Sequence, residues 1–225
     1  YPDFSGKTQN MYRFAFDNNL CDMVLPLLSY FENVIADLKK NAQRLYNCRG
    51  IFIPASVCDG TGLLGSVNPQ DIHYVCGAAE IANMFFDYYC YCRNKKFLKE
   101  RAMPFMKEAM MFFEDFLVPD KNGYYTSYPS YSPQNCPGNL YEKDSSVMVK
   151  IAKDSEVDFA SVRKLIDNLL EGSEICGLYK EQKEIWLGMR SKLPQPKIAE
   201  NSVFVHNYNC DELTENFKEG YMHSL

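Results

Sequence analysis

Apolar residues recur along this chain in steps of three and four, the spacing of one face of a helix. Between Leu20 and Leu45 they fall at Val24, Leu28, Phe31, Ile35, Leu38, Ala42 and Leu45, with Pro26 in the first turn, where a missing N–H does no harm. A second helix is predicted from about Asp71 to Arg93. It carries two adjacent stripes, Val75, Ala79, Ala82, Phe86 and Tyr89 beside Ala78, Ile81, Phe85 and Tyr88, so it is expected to be buried on two sides. A third runs from about Lys96 to Leu117, and Pro104 should kink or split it near Ala102. The fourth has the clearest start: Ser155 with Asp158 three residues on resembles a capping box, Phe159, Val162, Ile166 and Leu169 form its core face, and Gly177 is placed to end it. A fifth, Lys180 to Lys192, stops before Leu193-Pro194-Gln195-Pro196. Ile51-Phe52-Ile53 and Val203-Phe204-Val205 are too short for a sheet and read as loop tucked against the core. The fold class is all-α, an antiparallel array of helical hairpins.

The connections alternate. Those at Asn94–Lys95 and Gly177–Tyr179 are short; those at about 50–70 and 118–154 are long. If successive helices run antiparallel, both long loops and the tail after Lys192 come to one end of the array and the short turns to the other. Long loops in a compact domain are usually functional, so one face is expected to bind and the other to be scaffold.

Composition narrows the function. The 225 residues carry 24 Lys+Arg against 29 Asp+Glu, a net charge of −5, and no Lys/Arg run exceeds two residues. Nucleic acid is therefore not an expected partner. No apolar stretch is long enough to span a membrane. The nine cysteines are scattered without a CxxC pair and only three histidines accompany them, which leaves a metal site little to work with. Reduced thiols packed as small hydrophobes favour a cytoplasmic location, with a removed leader as the alternative. The chain opens Tyr1-Pro2-Asp3 without an initiator Met, and residues 201–225 read as loop, so a longer polypeptide is expected.

The second long loop is the most distinctive segment. It holds Tyr124, Tyr125, Tyr128, Tyr131 and Tyr141, and its centre reads Ser127-Tyr128-Pro129-Ser130-Tyr131-Ser132-Pro133-Gln134-Asn135. Flat tyrosine faces suit a sugar ring, and Ser, Gln and Asn match its hydroxyls without a desolvated charge. The same composition also suits a loop that packs over the core ends, and the residues alone leave both open.

Four segments in order, RAMPFMKEAMMFFEDFL (101–117), PSYSPQN (129–135), SEVDFASVRKLIDNLLEGSEI (155–175) and KLPQPKI (192–198), resemble the catalytic domain of glycoside hydrolase family 95, the inverting 1,2-α-L-fucosidases and their relatives. Thr8-Gln9 with Tyr12, Cys48-Arg49-Gly50, and Glu219-Gly220 with His223 extend the resemblance over nearly the whole chain. It implies an (α/α)6 barrel, with residues 1–225 a single helical domain forming a portion of it. The partners implied are an oligosaccharide, and either the remainder of the barrel or a second copy of the chain. No cofactor is implied. The substrate-binding residues carried over are Gln9, Tyr12, Tyr128, Tyr131, Ser132, Asn135 and His223.

The departures bear on the chemistry. Gln134 stands where the family has the Glu that serves as general acid, and an amide has no proton to give near neutral pH. The paired asparagines that orient water align with Ser5 and Lys7, and the inward His and Trp of the second helix with Met84 and Phe86. The base aspartate would fall beyond Leu225. One reading is a hydrolase of α-linked fucosyl or galactosyl saccharides with a substitute acid, for which Glu142, on the long loop, is the foremost candidate, with Asp144 and Asp158 beside it. A second is a carbohydrate-binding pseudo-enzyme, and a third a helical scaffold for protein partners. Asp158 also reads as a carboxylate favoured by the helix dipole. His73 reads as a pocket residue or as a histidine satisfied at a helix end.

Overall fold

The computed structural model describes residues 4, 7–131 and 151–196, and it is built from helical hairpins. Helix α1 (Lys7–Asp17) turns through Cys21–Met23 into α2 (Leu25–Asn33) and α3 (Ile35–Asn41). The single turn α4 (Pro69–Ile72) precedes α5 (Gly77–Cys92), which is followed at once by α6 (Lys95–Phe97) and α7 (Met103–Phe116). Helix α8 (Glu156–Cys176) ends at Gly177, in the left-handed conformation with φ 68°, and the chain returns as α9 (Lys183–Lys192). Two short strands, β1 (Val118–Pro119) and β2 (Tyr125–Thr126), pair antiparallel after α7 and are the only strands among the described residues.

The first helix of each hairpin points the same way. Gln9 in the first turns of α1 reaches Glu80 in the first turn of α5 (2.9 Å), and at the far ends Asp17 accepts from Tyr91 (3.1 Å) while Phe16 stacks on that ring at 5.1 Å. Helices α5 and α8 are likewise parallel: the Cys76 thiol meets Asp158 at their starts and Phe86 lies against Gly172 further along, while between them Asn83 donates to the Ser161 carbonyl (3.1 Å) and accepts from Asn168 (2.9 Å). The second helix of each hairpin runs back. Phe105, at the start of α7, stacks on Phe85 in α5 at 4.3 Å, and Met103 lies against Gly172 near the end of α8. The ends of α3 and α7 meet where Tyr46 packs edge-on against Phe112 and Phe116. The N-termini of α1, α5 and α8 therefore open on the face that carries both long loops, as the alternation of loop lengths predicts.

One continuous core joins the hairpins, with the predicted faces of α5, α7 and α8 all buried and Ile51, Phe52 and Ile53 sealed against them. Two predicted elements take a different form. The helix expected over 20–45 is divided: Val34 leaves helical geometry (φ −99°, ψ 12°) between α2 and α3, and a five-residue π turn, Ala42–Tyr46, closes it. The helix expected from Asp71 begins at Gly77, because the buried 51–53 segment crosses its start so closely that a Cβ on Gly77 would lie 2.4 Å from the Ile53 carbonyl oxygen. The third helix is divided by a π turn at Leu98–Ala102, just before Pro104, where a kink or split near Ala102 is expected.

Candidate active site

At the loop face two carboxyl groups sit in the first turns of neighbouring parallel helices, Glu80 on α5 and Asp158 on α8. Glu80 is half-buried. Its Oε2 accepts from the Gln9 amide (2.9 Å) and from the hydroxyl of fully buried Tyr74, and the Gln9 amide also donates to the Phe4 carbonyl (3.2 Å). These bonds favour the anion, but desolvation outweighs them and pushes Glu80 up to about 7, with the Asp158 charge adding in the same direction. Asp158 is 1% exposed, and its Oδ2 accepts from the hydroxyls of Ser127 and Ser130, each at 2.6 Å. Burial again dominates and pushes it up to about 7, against the pull of the two serines and the Cys76 thiol. The Tyr74 hydroxyl and the Cys76 thiol between them are both pushed well above their ordinary ranges, chiefly by burial and then by each other or by Glu80.

This corrects the capping-box reading. Ser155 is the N-cap of α8, but its side chain caps no helix N–H, and Asp158 turns to the loop base. There the chain is zipped. Ser130 and Ala152 exchange both backbone bonds (2.9 and 2.6 Å), and Asp154, at φ 58°, donates its N–H to the Ser127 carbonyl (2.8 Å) while its Oδ1 accepts from the Ser127 N–H (2.7 Å). Buried Asp158 thus fastens one limb of the loop's base to α8 through Ser127 and Ser130, and the bonds of those two residues to Ala152 and Asp154 tie the other limb to it. Together the two carboxyls can hold protons near neutral pH at the mouth of the parallel helices, as an acid catalyst must.

The catalytic-domain model of glycosyl hydrolase family 95 matches residues 7–217. The chain belongs to glycosyl hydrolase family 95. It is 22% identical to alpha-L-fucosidase 2 of Arabidopsis thaliana over 99% of this chain and 25% of that protein. A solved structure described as a kojibiose phosphorylase from the human microbiome superposes with a TM-score of 0.63 at 12% identity, covering 80% of this chain and 26% of that one. The chain therefore spans about a quarter of the length of these two proteins. The likeness in fold agrees with an all-α, toroid-type array of hairpins.

Of the site residues implied by the family resemblance, Gln9 is brought into the carboxyl cluster through Glu80. Tyr12, one turn along α1, is half-buried and packs on the core. Tyr128 is 65% exposed and, with Phe116, Val118, Thr126 and Lys153, lines an open cleft of about 390 Å³ at the outer side of the loop base. Lys153 gives this cleft a cation where the loop's composition leads one to expect a neutral lining. Tyr131 is half-buried at the zipped base. Ser132, Gln134, Asn135, Glu142 and Asp144, and His223 at the far end, lie outside the described residues. His73 ends α4 beside the Tyr46 hydroxyl (3.2 Å), and burial lowers its pKa. Sequence reasoning missed Tyr74, Cys76 and Glu80. The signal was available for Glu80, which lies on neither apolar stripe of its helix and stands four residues before Met84, on the side that the family resemblance turns inward.

Proposed function

We propose that this family 95 domain takes part in hydrolysing α-linked fucosyl or galactosyl saccharides by inversion, in a cytoplasmic protein. The observation that carries the reading is a carboxyl, Glu80, held at the loop face of a family 95 chain by the Tyr74 hydroxyl and the Gln9 amide, since inversion needs a carboxylic acid to protonate the leaving oxygen. The relative named alpha-L-fucosidase 2 supports the sugar class. The loop tyrosines, Tyr128 and Tyr131 among them, with Ser132, Asn135, Gln9, Tyr12 and His223, form the saccharide-binding set of this reading. The domain is a portion of an (α/α)6 barrel, completed by the rest of the polypeptide or by a second copy. Exposed apolar side chains on both outermost helices, Met11 and Phe14 on α1 and Ile185 and Leu187 on α9, support such completion. The seven described cysteines are all free thiols, which supports a reducing compartment.

A second reading has one observation in its favour: Gln134 holds the family's acid position, which suits a protein that binds saccharides without cleaving them. The test is calorimetric titration of the full-length protein against fucosylated and galactosylated oligosaccharides, beside a hydrolysis assay. Release of the terminal sugar supports the hydrolase. Binding without release supports the second reading, and the absence of binding by folded protein removes both.

A further inference from the structure

We propose that Glu80 is the general acid of this domain, taking over the proton donation that Gln134 cannot perform. The assignment rests on the hydrolase reading above. Its basis is the way the carboxyl is held. Both donors among the described residues, the Tyr74 hydroxyl and the Gln9 amide, converge on Oε2, which leaves Oε1 to carry the acid's proton. Neither donor is loose: Tyr74 is fully buried, and the Gln9 amide is anchored a second time on the Phe4 carbonyl. A carboxyl fixed in this way presents its proton in one orientation before substrate arrives. Gln9 Oε1 is buried beside it without a hydrogen-bond partner, so the cluster keeps an acceptor open. Asp158 is sealed at the loop base by two serines, whereas Glu80 retains solvent contact.

In the step proposed, the proton moves from Glu80 Oε1 to the glycosidic oxygen as the bond from that oxygen to the anomeric carbon breaks. A water attacks the same carbon from the opposite face and gives its proton to a carboxylate base outside the described residues. The products are a free sugar and an alcohol, and Glu80 is left as the carboxylate that Gln9, Tyr74 and the N-terminus of α5 are arranged to receive. The groups that face Glu80 and set its titration are Tyr74, Cys76 and Asp158.

The experiment compares two substrates of the full-length enzyme, an α-fucosyl disaccharide and a nitrophenyl α-fucoside whose leaving group departs without protonation. Glu80→Gln is expected to lower kcat/KM on the disaccharide by about 10²- to 10⁴-fold and on the aryl fucoside by less than about tenfold, and to abolish the alkaline limb of the pH profile. Glu142→Gln is expected to keep the wild-type ratio between the substrates. Equal losses on both substrates by a Glu80→Gln protein with native circular dichroism, or the split appearing in Glu142→Gln instead, overturns the assignment. If Glu80→Gln does not fold, Tyr74→Phe decides. Loss of a donor to the carboxylate should move the alkaline limb to higher pH, and an unmoved limb counts against Glu80. A wild type inactive on both substrates overturns the hydrolase reading and the assignment with it, whereas an active wild type with an unaffected Glu80→Gln overturns the assignment alone.

Discussion

Asp158 stands where helix N–H groups favour a carboxylate, yet it is held by the loop serines Ser127 and Ser130 and by the Cys76 thiol at the start of α5. With both serine hydroxyls on one oxygen and burial opposing the charge, the neutral acid is the form that the folded protein prefers below about pH 7. An asparagine is nearly isosteric with that neutral acid and keeps one oxygen for Ser127 and Ser130. Asp158→Asn is therefore expected to cost less than about 1 kcal/mol at pH 5 and to match or exceed wild-type stability at pH 8, where the wild type carries a buried charge. Asp158→Ala leaves two buried hydroxyls without their acceptor and should cost about 2–4 kcal/mol at pH 5. Urea titrations of the three proteins at both pH values measure this. An asparagine variant as damaged as the alanine variant at pH 8 shows that the site needs the anion, contrary to its burial.

At the scale of elements, glycines separate what a helix needs from what its neighbours need. Gly77 opens α5 under the crossing 51–53 segment, with the Ile53 carbonyl 2.4 Å from where a Cβ would lie, and neither backbone can move without disturbing buried Phe52 and Ile53. Gly77→Ala should destabilise by about 2–4 kcal/mol. Gly188, inside α9, has nothing within 4 Å of the same position. There an added methyl only restricts the unfolded chain and improves helix propensity, and Gly188→Ala should stabilise by about 0.5–1 kcal/mol. Thermal melts of the two variants should shift in opposite directions, and a shared sign would mean that one of these environments is misjudged. The same contrast explains how much of the fold was legible. Periodicity found the buried faces of α5, α7 and α8 because core packing is written at every third or fourth residue. It ran through Val34 and past Gly77, and the second break is imposed by a segment distant in sequence, the crossing loop. In the site, Gln9 was legible from a motif and Asp158 from its spacing to Ser155, although its partners were not. Glu80 was passed over because a lone carboxylate in a first helical turn looks like any dipole-favoured surface residue. Only the fold brings Tyr74, Gln9 and the start of α8 around it.

For the molecule as a whole, the carboxyl pair sets the direction in which stability follows pH. Glu80 rises from an ordinary 4.5 to about 7, and Asp158 from 3.8 to about 7. Between about pH 4 and pH 7 the folded state therefore binds more protons than the unfolded state, and stability falls as pH rises through that window. The favourable contribution is fully present below the unfolded values and lost once the folded ones are passed. Other groups act at the margins. His73, whose pKa is lowered by burial, opposes the trend below about pH 6.5, and Asp115, held down by Arg49, acts only at lower pH. Cysteine thiols raised by burial, such as Cys48 and Cys90, continue the downward trend in the alkaline range. Because the two carboxyls influence one another and Glu80 keeps solvent contact, their joint effect is expected on the order of 3 kcal/mol rather than the sum of two full shifts. The urea midpoint should accordingly be higher at pH 5 than at pH 8, and in Asp158→Asn the difference should shrink to the share left to Glu80. A midpoint that climbs from pH 5 to pH 8 would mean that both carboxyls are ionised in the folded protein. The loop face would then hold a fixed double negative charge, and the proton that the catalytic reading requires would not be there to give.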